Sequence, residues 1–199
     1  MRSVPLQRYV RVAALGLVVL GLVAAPGVAR AATVVYSGTT SADQYPLVVS
    51  VSGSRIVAVT SMWRATCTSG KGYSYGKAVS LANAPIAIRK GKFSGSVIVP
   101  EQLGGGVSAM VTLKLSGTLK GPRLTGSMTG AMAVGSDPSG PSDTCVVPGL
   151  KFTIVHQPGR VYGGATSQGL PAVVELRSSR TAISHLHIGW RATCTSGNE

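Results

Sequence analysis

Eight consecutive residues, Trp63-Arg64-Ala65-Thr66-Cys67-Thr68-Ser69-Gly70, recur unchanged 127 positions later as Trp190-Arg191-Ala192-Thr193-Cys194-Thr195-Ser196-Gly197. Eight identical residues at that spacing are not chance. The match extends backwards through short indels. Val35-Tyr36-Ser37-Gly38 corresponds to Val161-Tyr162-Gly163-Gly164, Pro46-Leu47-Val48-Val49 to Pro171-Ala172-Val173-Val174, and Arg55 to Arg180. So long a period denotes a duplicated domain, because solenoid units repeat every 20–50 residues or roughly so. The first unit runs over residues 32–158. The second, 159–199, holds only the opening portion, with no counterpart of residues 71–158 after Gly197. The chain is then a fragment of a longer tandem protein, the preferred reading, or the partial unit adds strands to the first domain.

Within the first unit the apolar residues alternate. Val57, Val59, Trp63, Ala65 and Cys67 are expected on one face, with Thr60, Arg64 and Thr66 on the other. Val107, Ala109, Val111, Leu113 and Leu115 alternate against Ser108, Met110, Thr112 and Lys114. Leu124, Met128, Met132 and Val134 alternate against Thr125, Ser127 and Thr129. A period of two is the mark of a half-buried strand. Further strands are expected at 34–36, 47–51, 86–89, 93–99 and 150–155, punctuated by Gly, Pro, Asn and Ser clusters such as Gly121-Pro122. Glycines in Phe93-Ser94-Gly95, Leu115-Ser116-Gly117 and Leu124-Thr125-Gly126 would bend and curl the sheet. No segment after residue 31 carries a helical period. The expected fold is all-β, an antiparallel sandwich or closed barrel.

Residues 1–31 read as a signal peptide. Arg2, Arg8 and Arg11 precede an uncharged apolar run over residues 12–25, and Ala29-Arg30-Ala31 offers small residues at a cleavage site after Ala31. That run of 14 is short of the roughly 20 residues a spanning helix needs. The protein is expected to be exported, with no membrane span after cleavage. Removing the signal takes four of 19 basic residues and no acid, leaving 15 basic and 6 acidic groups, a net charge of +9. Arg89-Lys90-Lys92 is the one dense cluster. It lacks the interleaved aromatics of a nucleic-acid face, so nucleic acid is not an expected partner. The general field suits anionic cell-envelope polymers or glycans.

Export implies an oxidising compartment. Of Cys67, Cys145 and Cys194, the first two belong to one unit and are expected to pair, Cys145 just ahead of that unit's last strand. Cys194 repeats Cys67, and its own partner would lie about 78 residues further on. It is otherwise open to intermolecular pairing or reaction as a free thiol.

Signals for chemistry are sparse. His185 and His187 are spaced to share a strand face and form the only metal-ligand candidate, with His156 as the one other histidine. The inward residues of that strand are expected to be Leu186, Ile188, Trp190, Ala192 and Cys194, which turns both histidines to solvent. Tyr73 and Tyr75, two apart, are the candidate pair for stacking on a sugar; the alternative is packing between strands. The six acids show no glycosidase pairing, no serine sits in a GxSxG context, and Gly104-Gly105-Gly106 lacks the Lys-Ser/Thr of a phosphate loop. No catalytic residue and no cofactor is expected. A non-catalytic binding or structural module fits best, the alternative being a secreted hydrolase assembled from residues distant in sequence.

The Tyr36-Ser37-Gly38-Thr39-Thr40-Ser41 opening, the Trp63–Cys67 strand, Phe93-Ser94-Gly95, the run Leu124-Thr125-Gly126-Ser127-Met128-Thr129-Gly130 and Thr144-Cys145 together resemble a group of exported, β-rich, often tandemly duplicated proteins of high-GC soil bacteria. The resemblance covers residues 34–155 and the partial copy. It implies a secreted β domain with one disulfide per unit, and no activity. A tryptophan common on the last strand of that group is replaced here by Phe152.

Overall fold

The computed structural model describes residues 31–41, 43–103, 107–135 and 142–192, apart from the side chain of Pro148. The segment read as a signal peptide up to Arg30, residues 104–106 and 136–141, and Cys194 lie outside the described residues.

The described residues form twelve strands and no helix. The order is β1 (Thr33–Thr39), β2 (Pro46–Ser52), β3 (Arg55–Cys67), β4 (Gly72–Ser80), β5 (Ile86–Arg89), β6 (Lys92–Gln102), β7 (Ser108–Lys120), β8 (Arg123–Val134), β9 (Asp143–Val155), β10 (Val161–Ala165), β11 (Pro171–Leu176) and β12 (Ile183–Ile188). Every expected strand of the first unit is present. β4 was not expected, and Cys145 sits inside β9 rather than ahead of it.

β1 to β9 make one antiparallel ladder, ordered β2-β1-β9-β8-β7-β6-β5-β3-β4, with further pairing of β2 with β3 and of β9 with β3. Cys67 and Cys145 lie directly opposite each other on β3 and β9 and are joined by a disulfide. Inside is one core containing Leu47, Val49, Ile56, Trp63, Leu113, Met128, Met132, Phe152 and Ile154.

The alternation holds on β7 and β8 but breaks on β3. Register shifts between Ser50 and Val51, because Ser50 faces Ala58 while Val51 faces Ile56. Val57 is the extra residue of this bulge, so Ile56 rather than Val57 turns inward. Val107 lies just before β7 and is exposed, not the first inward residue of that strand.

β10, β11 and β12 form a separate three-stranded antiparallel sheet. They do not extend the nine-stranded ladder. Their register matches β1 to β3 position by position. Tyr162 faces Val174 as Tyr36 faces Val49, and Val174 faces Leu186 as Val49 faces Val59. The irregularity between Glu175 and Leu176 falls where β2 has Ser50 and Val51. β10 lies against β1 and β11 against β2.

Candidate functional site

Two tight turns gather a cluster of cations on the described surface. β5 and β6 form a hairpin in which Arg89 pairs with Lys92 across a two-residue loop, Lys90-Gly91. Both loop residues have positive φ, 49° and 73°. Two consecutive positive φ values fit a turn whose twist matches that of the flanking strands. β7 and β8 are joined the same way, Lys120 pairing with Arg123 across Gly121-Pro122, with Gly121 at φ 56°. The Leu119 amide donates to the Gly91 carbonyl at 2.7 Å, which locks the two turns side by side.

Arg89, Lys90, Lys92, Lys120 and Arg123 are thereby gathered at one end of the sheet. Arg55 joins them, because β3 places it opposite Ala87 and the Ile88 amide donates to the Ser54 carbonyl at 2.8 Å. All six side chains are exposed. Among the described residues the ion pairs are Lys77 with Glu101 at 2.7 Å and His185 with Glu175 at 3.4 Å, and neither involves this group. Glu101 sits at the far end of β6, about 30 Å from Lys92 at the rise of an extended strand. Asp143 likewise starts β9, whose other end, Val155, faces Arg123. The far end thus mixes both signs, Glu101 with Lys77 and Asp143 with Lys71 and Arg64 nearby, whereas the six side chains at this end are all cations.

A hydroxyl-rich face leads away from this end. Lys92, Thr118, Thr125 and Thr153 lie in one cross-strand row, and Ser94, Ser116, Ser127 and Lys151 in the next. Ser96, Lys114 and Thr129 form a third. A shallow depression of about 370 Å³ lies over these rows, lined by Ser94, Ser96, Lys114, Ser116, Ser127 and Thr129. Ammonium groups and hydroxyls are donors suited to phosphate or carboxylate oxygens.

The sequence pointed to part of this site. Arg89-Lys90-Lys92 was visible as a run. Lys120 and Arg123 stand about 30 positions away in sequence, and only strand pairing brings them there. The Lys120-Gly121-Pro122-Arg123 pattern, a turn with a cation on each side, was the available signal.

The other candidates fall elsewhere. Tyr75 is buried, its ring stacked on Trp63 with centroids 4.7 Å apart. Burial, and secondarily the Glu101 charge, raise its phenol well above the ordinary tyrosine range. Tyr73 is half-buried against the core. The pair therefore presents no open double platform to a sugar, because the period of two that puts the rings on one face puts them on the inner one. Burial also raises Tyr36, which packs beside His156.

His185 and His187 do share a face, with rings 14° from parallel and centroids 6.3 Å apart. Glu175, opposite His185, is the third group of that face. His156 is not near them; its Nδ1 lies 3.0 Å from the Val35 carbonyl. Leu186, Ile188 and Trp190 are exposed rather than inward. The reason is that β10 to β12 rest on the first sheet through their other face, the one carrying Val173 and Gly163.

Cys67, Asp143 and Cys145 also converge, but the disulfide consumes both thiols. Asp143 instead ties the turn after β3. Its carboxylate accepts from the Ser69 hydroxyl, from Thr68 Oγ1 at 2.7 Å and from the Ser69 amide at 3.2 Å. Those bonds hold its pKa down to about 2.

No family model, curated protein or solved structure matches this chain.

Proposed function

We propose that this is an exported, non-catalytic β domain whose cationic end docks on an anionic polymer of the cell envelope, one bearing phosphate or carboxylate groups. The observation that carries the reading is the hydrogen-bonded contact of the two turns, which holds five cations together, with Arg55 beside them and the acids of β6 and β9 at the opposite end. The row of hydroxyls and lysines beyond it supports a binding surface longer than the turns alone. Export rests on the Arg2–Ala31 pattern, and the +9 charge of the remaining chain supports retention at an anionic surface. The return of the ladder from β3 to β2 supports a closed barrel over a two-sheet sandwich, and a barrel would make these turns a rigid rim.

The test is co-sedimentation of the 32–199 chain with insoluble anionic polymers, a polyol phosphate and a uronate, against neutral chitin, over a salt series. Binding to the anionic supports is expected, weakening steeply as salt shortens the screening length from about 10 Å at 0.1 M to about 3 Å at 1 M. Charge reversal at Lys90, Lys92, Lys120 and Arg123 should abolish it with the fold intact. Equal binding to chitin, or binding that survives the reversal, would overturn the reading. Turnover in a fluorogenic esterase, glycosidase or peptidase screen would favour the hydrolase alternative instead.

A further inference from the structure

The outward face of β10 to β12 is built like the inside of a protein. Cross-strand pairing puts Tyr162, Val174 and Leu186 in one row, Ala172 and Ile188 in the next, and Leu176 and Ile183 beyond the bulge. The matching positions of β1 to β3 are Tyr36, Val49 and Val59, then Leu47 and Ser61, then Val51 and Ile56, and all of these are buried. The contrast is sharpest for the repeated tryptophan. Trp63 is 1% exposed and Trp190 is 70% exposed. Ile183 and Leu186 are 54% and 53% exposed, where Ile56 and Val59 are 0% and 1%.

We infer that this face is a homodimer interface, on which the β10–β12 sheet of a second copy of the chain packs face to face. Three observations select that occupant. Within β10–β12 the residues of this face are all uncharged in a chain of strong positive charge, with Arg160 at its edge, where its carbonyl accepts from the Leu176 amide, so the centre of the face is where two copies can approach with least repulsion. Its apolar rows are of the kind that covers the equivalent face inside the first unit, where sheets meet at a spacing of about 10 Å. Its size also suffices. Five large side chains, each about half exposed or more, present on the order of 500 Å² per chain, at the upper end for one patch on a monomer. A symmetric pair then buries about 1,000 Å², the lower bound of a specific interface. Because one patch meets its own copy, the contact closes on a two-fold and does not propagate.

The test is sedimentation equilibrium of the 32–199 chain carrying Cys194→Ser, so that no interchain disulfide contributes. A dimer is expected at micromolar concentration, dissociating on dilution. Trp190 should become less accessible to acrylamide as the dimer forms. Leu186→Lys/Ile188→Lys should be monomeric, with an unchanged circular-dichroism spectrum and the Cys67–Cys145 bridge intact. These sites are exposed, so the substitution leaves the core of the first unit untouched. A monomer at every concentration would overturn the inference, and so would a dimer that survives the double substitution. Neither outcome touches the cationic end, so the two readings fail separately.

Discussion

Ser37 and Gly163 hold matching places in the two three-stranded sets, and they meet each other. A Cβ built on Gly163 would lie 2.3 Å from the Ser37 Cβ and 3.1 Å from Val48. The sets are thus stacked back to back through equivalent faces, β10 against β1 and β11 against β2. Only one of the two positions can carry a side chain. Gly163→Ser should therefore cost about 1–3 kcal/mol through overpacking, read as a lower denaturation midpoint and faster proteolysis after Pro158. Ser37→Gly/Gly163→Ser should recover much of the loss, because one side chain again fills the gap. No recovery in that double-mutant cycle would show that the contact does not hold the sheets together.

Cys67 and Cys145 join β3 to β9 across 78 positions of sequence. Constraining a loop of that length in the unfolded chain stabilises the fold by about 4–5 kcal/mol in the chain-entropy treatment. Replacing both with Ala should lower stability by an amount of that order. The loss appears as a shift of the urea midpoint, and reduction of the native protein should reproduce it. A shift under about 1 kcal/mol would mean that the ladder alone fixes these strands.

The alternation of β3, β7 and β8 was legible because each strand buries one face, which writes a period of two into the residues. The bulge at Val57 was not, since one inserted residue shifts the phase without leaving any mark in composition. β4 shows only in the two-residue spacing of Tyr73 and Tyr75, because Gly72 and Gly76 leave Gly72-Tyr73-Ser74-Tyr75-Gly76-Lys77 without a longer apolar alternation. A Cβ at Gly76 would fall 2.4 Å from Leu170 Cδ2, so any side chain there would have to push the Leu170 tip aside. The exposure of Leu186, Ile188 and Trp190 could not be read locally. Their pattern is that of core residues, and among the described residues no strand packs over them. The cationic end was half legible, because contacts between turns belong to tertiary structure.

Tyr75 and Trp63 test the inner face directly. Among the described residues, neither the Tyr75 hydroxyl nor Trp63 Nε1 has a hydrogen-bond partner. Tyr75→Phe removes an unpaired buried hydroxyl while keeping the stacked ring, so it should be neutral or stabilising by about 1 kcal/mol. Tyr75→Ala should cost about 3–5 kcal/mol, by analogy with other buried aromatics. The sign with pH follows from the raised pKa. The unfolded phenol ionises near 10 while the folded one does not, so stability from this group is full below that pH and is lost above it. Phe at this position should remove that alkaline component. If Tyr75→Phe destabilises as much as Tyr75→Ala, the hydroxyl has a partner.

Asp143 governs the acid side. Its carboxylate bonds with Ser69, Thr68 and Thr144 lower the pKa from 3.8 to about 2 in the folded chain. A group depressed on folding contributes stability above its unfolded pKa and loses it as pH falls through the folded one. The loss attributable to this turn should therefore fall between about pH 4 and pH 2. Asp143→Asn keeps the shape but gives up the charge, so it should be less stable than the parent at pH 6, and the gap should close by pH 2. Thermal melts of both proteins across that range read the difference. Parallel curves, with the gap unchanged from pH 6 to pH 2, would show that the carboxylate charge contributes nothing to holding the Thr68-Ser69 turn on β9.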